Sequence, residues 1–156
     1  MANWCFNTVS FKGEEGQIDQ LQELFLGLQA LAILYDMGQL PDFVSPEGGG
    51  YLFDIEMNYE HLSYCTKWSP NFKVMCQIAD RYGVGFVYRY EETGNGIYGE
   101  AVYEQGNFTD ICLDIYDFAK YTYDEGKGYL FEGKSYENDG EILEILLERK
   151  KLNNPQ

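Results

Sequence analysis

At 156 residues, with 45% apolar and 17% aromatic side chains, the chain is long enough for one domain with a real core and too apolar for a disordered polymer. Its 26 acids against 11 bases give a net charge of −15, which disfavours nucleic acid, acidic phosphates and anionic membranes and favours basic partners or cations, while also serving plain solubility. No basic and apolar leader opens the sequence and no run approaches the ~18 apolar residues of a membrane helix, so a cytoplasmic protein is expected.

"WCFNTVSFKG" reads as a first strand closed by Gly13. Side chains alternate along it, so either Trp4 and Phe6 or Cys5, Val9 and Phe11 face the core; ordinary aromatic burial makes Trp4 the expected core residue. A helix over 17–35 follows, with Ile18, Leu21, Phe25, Leu28 and Ala32 at helical spacing and Leu24 and Leu31 beside them. Two prolines and three consecutive glycines then mark residues 36–50 as a long irregular loop. "YLFDIEMNY" reads as a strand, with Leu52, Asp54 and Glu56 opposite Tyr51, Phe53, Ile55 and Met57, and "HLSYCTKW" as another. Trp68 is expected to staple the sheet to the next helix. Ser69 as N-cap and Pro70 at the first position start that helix, over 70–82, and Gly83 ends it. "VGFVYRYEETGNGIYGEAVYEQG" is a hairpin signal, with its turn at Gly94, Asn95 and Gly96. "FTDICLDIYDFAKYTY" and "GYLFEGKSY" suggest further strands, and "NDGEILEILLERKK" a closing helix with Asn138 and Glu141 at capping-box spacing.

This order makes an α+β ferredoxin-like sandwich: an antiparallel sheet with two helices on one face, then more strands and a last helix. One domain over 1–156 is expected, with a core over 1–106 and a β-rich extension over 107–156. The stretches "ANWCFNTVSFKG", "TKWSP" and "YEETGNGIYGEAVYEQG" resemble, in the same order, motifs of the YubB-type ferredoxin-like family, also called Api-like proteins. The resemblance covers roughly residues 1–106. It implies the split βαβ fold, a bacterial or mobile-element origin and no particular activity. The positions that carry it are Trp4, Cys5, Asn7, Thr66, Lys67, Trp68, Ser69, Pro70, Tyr90, Glu91 and Gly99, expected to be structural. Ala2 stands where the family commonly has proline.

Four cysteines, Cys5, Cys65, Cys76 and Cys112, and the single His61 supply enough atoms for zinc, but no pair has close ligand spacing, so no metal or other cofactor is expected and the thiols read as small buried hydrophobes. With one histidine and no nucleophile beside an oriented base, no catalytic residue is assigned. The acidic stretch from Glu91 to Glu125 is the candidate partner surface, through Glu100, Glu104, Asp110, Asp114 and Asp117 with Tyr116, Tyr121 and Tyr123. The alternatives are a solvated sheet face, for the acids, and packing of the last helix, for the tyrosines. The expected function is a non-enzymatic module binding a basic protein partner. The rivals are an acidic nucleic-acid mimic that inhibits a DNA-binding protein and, least supported, an enzyme. The sequence leaves the oligomeric state open.

Overall fold

In a computed structural model that describes residues 3–45 and 50–154, the first strand, β1 (Trp4–Lys12), runs through the middle of a six-stranded sheet. Its order is β2-β3-β1-β4-β5-β6, with β2 at Phe53–Asn58, β3 at His61–Lys67, β4 at Gly85–Glu92, β5 at Ile97–Glu104 and β6 at Asn107–Cys112. Every neighbouring pair is antiparallel. The helices α1 (Glu15–Tyr35) and α2 (Phe72–Tyr82) complete two βαβ units, each split by a strand of the other. This is the ferredoxin-like sandwich expected, widened by β5 and β6.

The alternation of β1 resolves opposite to the expectation for Trp4. Cys5, Asn7, Val9 and Phe11 face the helices and are buried, while Trp4 and Phe6 lie on the outer face, 39% and 57% exposed. The face bearing Trp4 also carries Thr8, Ser10 and Lys12, so the strand as a whole buries its other side. In α1 the register is as read: Ile18, Leu21, Phe25 and Leu28 are buried, and Leu24 and Ala32 pack at their margin. Gln17 accepts from the Glu14 amide at 2.8 Å and donates to the Gly83 carbonyl at 3.2 Å, tying the start of α1 to the end of α2.

Three expectations fail locally. In β2 a bulge with Asp54 at φ 49° interrupts the alternation, so Leu52 and Ile55 are both buried. α2 starts at Phe72 rather than 70, and its N-cap is Asn71, whose side chain bonds elsewhere. Trp68 adopts φ 72°, donates its amide to the Asn3 carbonyl at 2.8 Å and stays 54% exposed, so it staples nothing. Residues 46–49 of the expected loop lie outside the described residues; before them, Gln39 bridges Leu52 and Val44 is buried.

Beyond β6 the chain forms a short helix α3 (Ile115–Phe118), where a strand was expected, then a small sheet of β7 (Thr122–Asp124), β8 (Gly128–Phe131) and β9 (Lys134–Tyr136), and α4 (Gly140–Asn153). Asp114 caps α3, accepting from the Tyr116 and Asp117 amides. α4 is capped at Asp139, not through the expected Asn138–Glu141 box; the Asp139 carboxylate accepts from Tyr121 Oη at 3.2 Å instead. Ile142, Leu143, Leu146 and Leu147 of α4 form a second core with Leu113, Phe131, Tyr98 and Ile111, on the sheet face opposite α1 and α2. No helix among the described residues is long and apolar enough to cross a membrane.

Candidate functional site

The acids singled out in the sequence do not form one surface. Glu100 and Glu104 project from the outer face of β5. Asp110 opposes Ala101 across the strands and so points to the other face. Most are neutralised within the fold. Glu100 pairs with Arg89 and Lys151, each at 2.8 Å, and Glu104 with Lys12 at 3.1 Å. Burial works against the Glu100 carboxylate, yet Lys151 and Arg89 hold its pKa below the usual range. Asp110 accepts from Tyr90 Oη at 2.6 Å, and burial pushes its carboxyl up. Of the tyrosines, Tyr116 and Tyr123 are exposed, and Tyr121 packs against the second core.

Lys150 of α4 reaches both Asp114 at 2.8 Å and Asp117 at 2.6 Å, and Lys120 reaches Asp117 at 2.8 Å. Burial alone would raise the Asp117 pKa, but the two lysines and the Asp114 amide bring it to about 2. Its folded pKa therefore lies below the ordinary value of 3.8. The stability it contributes is complete above that value and is lost as pH falls through about 2. Asp117→Asn is expected to remove about 2 kcal/mol at neutral pH and to flatten the acid limb of a stability-versus-pH curve between 4 and 2, measured by urea titration. An unchanged acid limb would sink this assignment.

The positions that carry the family resemblance split between two places. Asn7, Thr66, Tyr90 and Gly99 are buried. Asn7 donates to Thr66 Oγ1 and the Cys5 carbonyl, both at 2.9 Å, and accepts from Tyr88 Oη at 2.9 Å. Tyr64 Oη lies 2.8 Å from Tyr88 Oη and donates to Asn71 Oδ1 at 2.6 Å, while Asn71 Nδ2 donates to the Gly50 carbonyl at 2.7 Å. Gly99 admits the Tyr90 ring, which a Cβ there would strike. This network ties β1, β3, β4 and the start of α2 into one polar knot under the apolar core. Burial pushes the Tyr64 and Tyr88 hydroxyls well above the ordinary tyrosine value, so they stay protonated and serve as donors.

Trp4, Lys67 and Glu91 reach the outer face instead. Trp4 pairs with Lys67 on β3, and Phe6 with Glu91 on β4. The Trp4 ring meets Phe53 edge-on at 5.0 Å, and Lys67 Nζ stands 5.1 Å from the Phe53 ring centre. Because α4 covers only part of this face, a groove opens beside it. A cavity of about 350 Å³ is lined by Trp4, Phe6, Glu91, Glu92 and Asp139. It adjoins a second cavity of about 220 Å³ that shares Phe6 and Glu91 and extends to Thr8, Arg89 and Leu147. Among the described residues no cation stands within 4.0 Å of Glu91, Glu92 or Asp139, and Glu92 Oε2 is buried without a donor. The sequence held one usable signal for this groove: Trp4 and Phe6 share a β1 face with polar neighbours.

For bond-making chemistry the arrangement offers little. Cys5 and Cys65 are buried, Cys76 half-buried and Cys112 exposed, all free thiols; burial pushes Cys5 and Cys76 up to about 11, which keeps them protonated. Among the described residues no group of three or more His, Cys, Asp or Glu side chains is placed to hold a metal ion. Ser10 Oγ lies 3.0 Å from His61 Nδ1, and Glu60 3.5 Å from Nε2, a row that sequence reading missed because β1 and β3 bring Ser10 and His61 opposite one another. The His61 and Glu60 side chains are 63% and 45% exposed, so the row stands in water, whereas transition-state stabilisation relies on donors fixed in a water-excluded site.

No curated protein and no solved structure matches the chain. The model of one family, described as the ferredoxin-like domain in Api92-like protein, matches residues 50–131, from the approach to β2 through β8. That span starts later than the resemblance read from the motifs and runs beyond residue 106, into the small second sheet. It covers just over half of the chain, and its ferredoxin-like description agrees with the sheet order found here: the chain belongs to the family of the ferredoxin-like domain in Api92-like protein.

Proposed function

We propose that this protein is a non-enzymatic interaction module that binds a basic protein partner in the groove between the outer face of β1 and α4. One observation carries the reading: Glu91, Glu92 and Asp139, unpaired by any cation among the described residues, line one cavity with the exposed aromatics Trp4 and Phe6. A lysine or arginine side chain is attracted both to a carboxylate and to the face of an aromatic ring. The overall charge of −15 speeds the encounter of such a partner. The motifs "ANWCFNTVSFKG" and "TKWSP" support placing the protein in the YubB-type branch of its family.

A fluorescently labelled arginine- and lysine-bearing peptide provides the direct probe. The variant Phe6→Ser/Glu91→Gln/Glu92→Gln is expected to weaken its binding about tenfold or more. Glu14→Gln/Glu15→Gln, which removes the same charge from the start of α1, is expected to change it much less. Equal losses would mean that only the global field acts, and the groove reading falls. Duplex DNA that displaces proteins captured from a bacterial lysate would instead favour the nucleic-acid mimic.

A further inference from the structure

We infer that the outer face of α1 is a self-association surface, on which a second copy of this chain docks antiparallel about a two-fold axis near Ala30. Between Glu23 and Asp36 the chain has no charged residue, although charged residues make up 24% of the sequence. Opposite the buried stripe of α1, Leu26, Ala30, Ile33 and Leu34 recur at spacings of four, three and one, and all are exposed. Ile33 and Leu34 are 76% and 70% exposed, and Met37, just past the helix end, is 59% exposed. Contiguous apolar surface of this kind marks an interaction site.

The charge pattern points to a second copy. Two chains of net charge −15 repel, so they meet most readily where neither presents a charge, and this helix segment is such a place. A basic partner would gain no ion pair here. The order of side-chain sizes is also self-complementary. In an antiparallel pair crossing at Ala30, Leu26 of one copy faces Leu34 of the other, and Ile33 faces Gly27. A Cβ built at Gly27 has nothing within 4 Å, so that position is an open notch able to receive Ile33. Ala30 against Ala30 at the axis lets the two helices approach within the 8–10 Å typical of packed pairs. A two-fold contact of this type closes on itself and leaves no free end for polymer growth.

Sedimentation equilibrium and light scattering of the full chain provide the test. The wild type is expected to dimerise in the micromolar range, and more tightly in 0.5 M than in 0.05 M salt, because salt screens the mutual repulsion of about −15 per copy. Ala30→Glu is expected to raise the dissociation constant about a hundredfold by setting two carboxylates against each other at the axis. Gly27→Leu, which fills the notch, is expected to raise it about tenfold. Both positions are exposed, so the melting curve of the dilute, monomeric protein is expected to stay close to that of the wild type. Phe6→Glu, in the groove on the other side of the sheet, is expected to leave the dimer intact. A wild type that stays monomeric into the millimolar range overturns the proposal, as does a dimer that Ala30→Glu leaves unchanged.

Discussion

Phe25→Asp leaves the chain unfolded in water at room temperature. Phe25 is fully buried, and its ring lies 5.8 Å from that of Phe11, nearly parallel, at the seam between α1 and β1. Truncating such a ring removes about 3–5 kcal/mol, against a whole-domain stability of about 5–15 kcal/mol. The substitution also places a carboxylate where no cation can reach it, a further penalty of several kcal/mol or a forced protonation. Far-ultraviolet circular dichroism should show the loss of helix and sheet together. Gln20→Asp, on the exposed side of the same helix, is expected to melt within about 0.5 kcal/mol of the wild type. Similar melting of the two variants would mean that the register of α1 is wrong.

The second large effect is at Asn7. Asn7→Ala is expected to cost about 3 kcal/mol although it removes few atoms. The side-chain amide satisfies the Cys5 carbonyl, the Tyr64 carbonyl at 3.3 Å and Thr66, and it accepts from Tyr88. Each buried group left without a partner costs about 1–3 kcal/mol. Tyr88→Phe removes the hydroxyl that meets Asn7, so the loss in Asn7→Ala/Tyr88→Phe is expected to be smaller than the sum of the two single losses by about 1 kcal/mol. Chemical denaturation of the four proteins measures this coupling. Additive losses would show that the network is a set of independent contacts.

Much of the architecture is legible from local pattern. The stripe from Ile18 to Leu28, the turn at Gly94 to Gly96 and the alternation through Phe86, Tyr88 and Tyr90 each specify their element, and their order implies a ferredoxin-like sheet. Patterns that depend on a distant partner are less legible. Aromatic burial favours the Trp4 face of β1 as the inner one, but Asn7, a polar residue on the other face, is buried among Tyr88 and Thr66 and turns that face inward. Ser69 and Pro70 make a good helix start, but Thr66 donates to the Ser69 carbonyl at 2.8 Å and Asn71 becomes the cap. The acidic sheet misleads for a similar reason. Lys150 and Lys151 are thirty residues or more from Asp114, Asp117 and Glu100, and only the docking of α4 brings these charges together. The groove is legible only in part. Trp4 and Phe6 can be placed on one strand face, but the nearness of Asp139 depends on where the last helix lands.

The central position of β1 has a consequence for synthesis. β1 leaves the ribosome ahead of the strands it needs, β3 on one side and β4 on the other, which follow only around residues 61–67 and 85–92. Until then both edges of β1 carry unpaired amides and carbonyls, and Val9 and Phe11 have only α1 to cover them. Contacts this distant in sequence close slowly, because the loop entropy is lost before the pairing gains anything. A nascent chain stalled before β4 therefore presents a sticky, half-built sheet. Residues 1–84, with 11 acids against 4 bases, carry a net charge of −7, which, spread over chains crowded on one message, helps keep those sheets apart until the fourth strand emerges.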